Sequence, residues 1–113
     1  MTSKNSNKEY ADQLAVQLRK GYLAYCVLAI CRSVPQYTSD IIAKLHADDL
    51  VVVEGTVYPL LSRLQKDGLL RYEWHESEQG PPRKYYVATK AGNEVAELVL
   101  TKITALNKAL KKL

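Results

Sequence analysis

Cysteine, histidine and long apolar runs are all scarce in this chain, and each scarcity removes a class of function. The only cysteines are Cys26 and Cys31. Their spacing matches no zinc site, and within one apolar helical run it does not bring the two thiols to one face, so both are read as reduced core residues. His46 and His75 stand alone, without a cluster of metal-ligating residues around either. No serine or cysteine has a recognisable base and orienting partner, and no two carboxylates pair as acid and base. Neither catalysis nor a metal or other cofactor is therefore expected. The one continuous apolar run, Gly21 to Cys31, is about half of the ~20 residues that a membrane span needs, and no small-residue cleavage site follows a hydrophobic start. The chain is read as cytoplasmic, with no membrane partner.

What is present suits one small domain: 113 residues, 47% apolar and 25% charged, enough for a real core and too few for two. The net charge of +4 and a pI of about 9.1 fit an acidic partner such as nucleic acid, though many proteins that bind no polyanion are as basic.

Residues 1–8 are polar and aperiodic, which predicts a flexible tail. From Glu9 the spacing of Ala11, Leu14, Ala15, Leu18, Tyr22 and Tyr25 is helical, and the pattern continues apolar on every side through Ile30. One helix is expected over about Glu9 to Arg32, interrupted at Gly21. After a turn at Pro35, Thr38 or Ser39 is a capping candidate for a short second helix with Asp40 in its first turn and Ile41, Ile42 and Leu45 inward. Val57, Leu60, Leu61 and Leu64 then fall at i, i+3, i+4 and i+7, and "KDG" supplies a glycine suited to a left-handed cap. A third helix is thus expected over about Gly55 to Asp67. Leu70, Tyr72 and Trp74 alternate with polar residues, and "RKYYVAT" again reads as a strand, which gives two antiparallel strands joined by the loop "SEQGPP". Thr89 caps a last helix in which Val99, Ile103, Leu106, Leu110 and Leu113 follow at steps of four and three, a coiled-coil seam that needs a partner.

The fold class is therefore mainly α with a small β-hairpin, a winged helix-turn-helix over 9–89 followed by a C-terminal dimerisation helix over 90–113. In that arrangement the third helix enters the major groove of DNA. With its apolar stripe inward, Gly55, Tyr58, Pro59, Ser62, Arg63 and Lys66 face outward and Thr56 lies at the edge. Gly55 permits close approach of the backbone to a phosphate, Pro59 is tolerated in the first turn, and Tyr58 offers a ring with a hydroxyl. Taken alone, Gly55 and Pro59 equally serve as ordinary helix-start signals, and Arg63 and Lys66 as a solvated face.

The two blocks "EGTVYPLLSRLQKDGLL" and "ESEQGPPRKYYVATKAG" together resemble the PadR family of bacterial transcription regulators, with the helical segment "LRKGYLAYCVLAI" upstream. The resemblance is close over residues 18–92, and the short last helix looks like that of the small PadR subfamily. It implies a homodimer on a double-stranded DNA operator, with the third helices in successive major grooves and the wings on the flanking backbone or minor groove. On this basis Thr56, Tyr58, Pro59, Ser62 and Arg63 are expected to meet groove and phosphate. In the wing, Gly80 permits a tight loop, and Arg83 and Lys84 carry charge toward phosphate. Thr38 and Ser39 are further phosphate candidates, although capping explains them equally well. Leu14 and Leu18 join Val99, Ile103, Leu106 and Leu110 as the expected dimer contact.

The expected mode of action is repression by occupancy, tuned by a small aromatic effector between the first and last helices and their symmetry mates. Two departures from the family pattern limit the transfer. Where the family often carries His-Gly-Tyr-Glu-Ile at the start of the second helix this chain has "QYTSDII", and the last helix contains no aromatic residue. Trp74 is expected to pack within the wing. The rival reading is a winged helix that binds protein. It would call for an exposed apolar patch on the third helix, where this sequence places Tyr, Pro, Ser, Arg and Lys.

Overall fold

The computed structural model describes residues 4–50 and 54–113. The elements run α1 (Lys4–Ile30), β1 (Gln36–Tyr37), α2 (Thr38–Ala47), a 3₁₀ turn (Glu54–Thr56), α3 (Val57–Lys66), β2 (Leu70–Ser77), β3 (Gly80–Ala88) and α4 (Lys90–Lys111). This is the mainly helical winged fold that the periodicities predict.

The core is where the apolar stripes converge. Leu23, Val27, Leu28 and Cys31 of α1 meet Ile41, Ile42 and Leu45 of α2, Val57, Leu60, Leu61 and Leu64 of α3, and Leu70, Tyr86 and Ala88 of the sheet. Fully burying each large aliphatic side chain is worth about 1.5–3 kcal/mol, so this cluster dominates the stability of the domain.

α1 departs from the sequence expectation at its start and at Gly21. It begins at Lys4, so residues 4–8, expected as tail, are its first turns. It also runs through Gly21 without a break. A Cβ at that exposed position would meet nothing within 4 Å, so the glycine costs only its helix propensity, about 1 kcal/mol, which twenty-seven contiguous residues absorb. Nor is the helix buried throughout. Its C-terminal half enters the core, while Tyr10, Leu14 and Leu18 lie on the surface.

α2 and α3 end in the same way. Leu50 N donates to Leu45 O (2.8 Å) beyond Asp49 at φ 55°, and Leu69 N donates to Leu64 O (2.9 Å) beyond Gly68 at φ 79°. Both are Schellman-type ends with a left-handed residue, and Gly68 is the cap that "KDG" predicts. The start of α2 differs from expectation. Tyr37, extended at φ −70° and ψ 141°, occupies the cap position without a side-chain cap bond, and Thr38 and Ser39 already belong to the first helical turn.

The sheet has three strands in the order β1-β3-β2, all antiparallel. β2 and β3 are the expected hairpin, in register from Leu70↔Ala88 to His75↔Arg83. The added strand is β1, which pairs Gln36↔Tyr86 and Tyr37↔Tyr85. The hairpin loop is also shorter than expected. Gly80, Pro81 and Pro82 lie in β3, Ser77 pairs with Gly80, and only Glu78 and Gln79 remain between the strands. The two prolines fall at the register shift between His75 and Ser77, where a missing N–H costs no regular ladder bond.

Thr89 welds α4 to this scaffold. Its Oγ1 accepts from Gly92 N (3.0 Å) and donates to Gly68 O (2.6 Å), while its own N–H donates to Leu69 O (3.1 Å). Gly92 is buried, and any Cβ there would strike the Leu69 carbonyl. The Thr-x-x-Gly start of α4 is thus a docking device as well as a cap. Beyond Ala96 the helix leaves the core, and Leu98, Leu106 and Leu110 are exposed.

Candidate nucleic-acid interface

α3 is sharply two-faced. Val57, Leu60, Leu61 and Leu64 are buried, and Tyr58, Pro59, Ser62, Arg63 and Lys66 are all exposed, as are Gly55 and Thr56 in the 3₁₀ turn that leads into the helix. Pro59 is the third residue of α3, where its absent N–H would have had no helical acceptor. Every residue expected on the outward face of the helix is there.

Beside α3 the wing encloses a groove of about 470 Å³. It is lined by Ser77, Gln79, Gly80, Pro81, Pro82, Arg83 and Lys84 of the hairpin, with Tyr37 of β1, Thr38 and Ser39 of α2 and Tyr58 of α3. Of the residues assigned from sequence, the groove unites Thr38, Ser39, Tyr58, Gly80, Arg83 and Lys84. Gly55, Thr56, Pro59, Ser62, Arg63 and Lys66 lie outside it, in the 3₁₀ turn and along α3. Gly80 closes the tight two-residue loop by pairing with Ser77, but without a positive φ, and a Cβ there would meet open space, so the position accepts other residues.

Strand alternation turns the two wing cations to opposite faces. The Arg83 guanidinium lies 4.9 Å from the centroid of the Tyr37 ring, and the Lys84 ammonium lies 4.2 Å and 5.2 Å from the rings of Tyr72 and Tyr86. Neither cation is tied up in an ion pair among the described residues, so both charges remain available to an anion. Deeper in the wing, Glu73 accepts from His75 Nε2 (2.7 Å) and Arg71 (3.0 Å), and these bonds, that of His75 first, hold its carboxyl below the ordinary glutamate range. Trp74 does not pack away as expected. It is 61% exposed, with its ring edge-on to Tyr72 at 6.2 Å.

The groove also takes in Ser77, Gln79, Pro81, Pro82 and Tyr37, which the sequence did not assign to the site, and Tyr37 is the least legible of them. It sits in a strand of two residues, too short for any period, and only the pairing with Tyr85 reveals its place.

The described residues contain no group of three or more His, Cys, Asp or Glu able to hold a metal ion. Burial pushes the Cys31 thiol up to about 12 and raises that of Cys26, which disfavours the thiolate at both. Among the described residues no helix is long and apolar enough to cross a membrane.

A short helix with a polar outward face, flanked by a basic β-wing and a second helix N-terminus, is the apparatus of a winged helix-turn-helix DNA-binding regulator. The comparisons agree. Residues 27–98 match the model of the transcriptional regulator PadR-like family. Among solved structures, the chain is similar to a PadR-like transcription factor from Bacteroides fragilis, with 47% identity over 88% of this chain and 97% of that one and a TM-score of 0.72. It is also similar to a PadR family transcriptional regulator from Eggerthella lenta DSM 2243, with 30% identity over 95% and 94% of the two chains and a TM-score of 0.85. A PadR-like transcriptional regulator from Bacillus cereus strain ATCC 14579 is 33% identical over 85% and 94%, with a TM-score of 0.76. No curated protein matches the chain significantly. The chain belongs to the PadR-like family of transcriptional regulators. It is a DNA-binding regulator and not an enzyme.

Proposed function

We propose that the protein is a homodimeric repressor that occupies a roughly two-fold symmetric operator in its own or a neighbouring promoter, and that a small aromatic effector tunes its grip. The observation that carries this reading is the separation of two exposed surfaces on one chain. The polar face of α3 and the groove beside it suit the edges and phosphates of duplex DNA. The apolar rows of α1 and α4 suit a second copy: Leu14, Leu18, Leu106 and Leu110 are more than half exposed, and Val99 and Ile103 are half-buried. A lone chain leaves these leucines in water, whereas pairing two copies would bury them at about 25 cal/mol per Å².

In this dimer Thr56, Tyr58, Ser62 and Arg63 read or grip the major groove, with Gly55 and Pro59 shaping the approach of the helix. Lys66, Arg83 and Lys84 meet phosphate, and Thr38 and Ser39 meet it from the first turn of α2, where N–H groups lack helical acceptors. The effector would enter between α1, α4 and their symmetry mates. α4 carries no aromatic residue, so stacking would fall to Tyr10 and the other tyrosines of α1. Binding there would change the spacing of the two α3 helices and so the fit to the operator.

Footprinting on the upstream DNA, combined with sedimentation of the free protein, tests the reading. A dimer that protects two half-sites one helical turn apart, about 34–36 Å, is the expected result. A monomer that protects a single site would contradict it. Phenolic and cationic aromatic compounds added to the same assay test the effector, and footprints unmoved by all of them would remove that part.

A further inference from the structure

Tyr37 is in ring contact with both the wing's arginine and its neighbouring strand, and no motif accounts for it. It stands immediately before α2, and its ring lies against β3, the strand with which β1 pairs. We propose that Tyr37 is a positioning residue for DNA recognition: its ring is the plate that holds the Arg83 guanidinium at the groove between wing and α2. This rests on the DNA-binding role assigned above to Arg83.

The geometry carries the inference in three steps. Arg83 Cζ lies 4.9 Å from the Tyr37 centroid, inside the range in which a cation is attracted by a ring face. A guanidinium laid over a ring keeps its N–H donors directed outward in its own plane, where they can take a phosphate in a forked pair of bonds. The plate is itself braced. Tyr37 meets Tyr85 with centroids 5.5 Å apart, Tyr85 is stacked on His75 at 4.3 Å, and His75 is held by Glu73 at 2.7 Å. Lys84, one residue on, is held by rings of the opposite sheet face, which come from the wing's own strands. Arg83, by contrast, is held by a ring from β1, the strand that leads directly into α2. Tyr37 therefore fixes the wing charge relative to α2, and binding begins with that long side chain already placed instead of ordering it in the complex.

The test is a double-mutant cycle on the full chain, with equilibrium affinity measured for a duplex that the wild-type protein recovers from a random-sequence pool. The variants are Tyr37→Phe, Tyr37→Leu, Arg83→Ala and Tyr37→Leu with Arg83→Ala. Thermal unfolding of each variant checks that it folds. An exposed cation–ring contact is worth about 2- to 5-fold in affinity, hence about 4- to 25-fold where both wings of a dimer dock. Tyr37→Leu should lose that much, and Tyr37→Phe, which keeps the ring, less than about 2-fold. In the Arg83→Ala background Tyr37→Leu should cost nothing further, because the plate then has no charge to hold. Equal losses from Tyr37→Leu in both backgrounds, or no loss in the wild type, would overturn the proposal. Failure to recover any duplex would instead overturn the DNA-binding reading on which it stands.

Discussion

Tyr58 on α3 and Leu14 on α1 are equally exposed, at 54% and 55%, yet they belong to surfaces of opposite character. Around Tyr58 lie Ser62, Arg63, Thr38, Ser39 and the wing cations, a surface that water already satisfies and that an anion satisfies better. On α1 Leu14 is accompanied by exposed Tyr10 and Leu18, and α4 in turn exposes Leu98, Leu106 and Leu110, apolar side chains that water does not satisfy. Exposure alone therefore decides nothing about partners. The chemistry of the neighbours does: the polar, basic surface suits duplex DNA, and the apolar one is the surface proposed above for a second copy.

Several substitutions would break or sharpen this contrast. The largest effect should come from placing charge in the apolar surface. Leu18→Glu with Leu106→Glu should turn the dimer into a monomer in sedimentation, with α-helical circular dichroism retained, and cost specific DNA binding about 100-fold or more through loss of the second half-site. On the other surface, Tyr58→Ala or Arg63→Ala should weaken specific binding about 10-fold or more, on the scale of one lost base or phosphate contact per half-site, and leave the dimer intact. A dimer that fell apart on Arg63→Ala would collapse the distinction between the two surfaces.

The smaller effects concern the scaffold that joins them. Thr89→Ala removes the cap and the bond to Gly68 and should cost about 1 kcal/mol in denaturant unfolding. Smallest is Glu73→Gln, whose effect should depend on pH. The folded-state pKa of Glu73 lies below its unfolded value, so its contribution is fully present above the ordinary glutamate range and fades as pH falls through the lowered value. The wild type should melt slightly above Glu73→Gln near neutrality, and the gap should close in acid.

Much of this division is written in local sequence. The α3 faces follow from 3.6-residue spacing, which needs no knowledge of the rest of the chain, and Gly68 and Thr89 announce themselves by the backbone geometry their places require. Where local signals fail, a tertiary contact has decided. β1 is two residues long and exists because β3 offers an edge at Tyr85 and Tyr86. Pro81 and Pro82 look like loop residues and sit in a strand because a register shift there spares the N–H groups they lack. Gly21 looks like a helix breaker, yet nothing competes with the helix at that exposed point. Tyr37 combines both difficulties, since its strand is too short to recognise and its ring partners lie 46 and 48 residues ahead.

The most direct test of the central claim is fluorescence anisotropy of the purified protein against its own upstream DNA and a scrambled duplex of equal length, repeated across a range of salt. The account predicts tight binding to the upstream duplex, about 10³-fold or more above the scrambled one, with the logarithm of affinity falling linearly with that of salt as phosphate contacts exchange for counterions. Equal and weak binding to both duplexes at every salt concentration would contradict it.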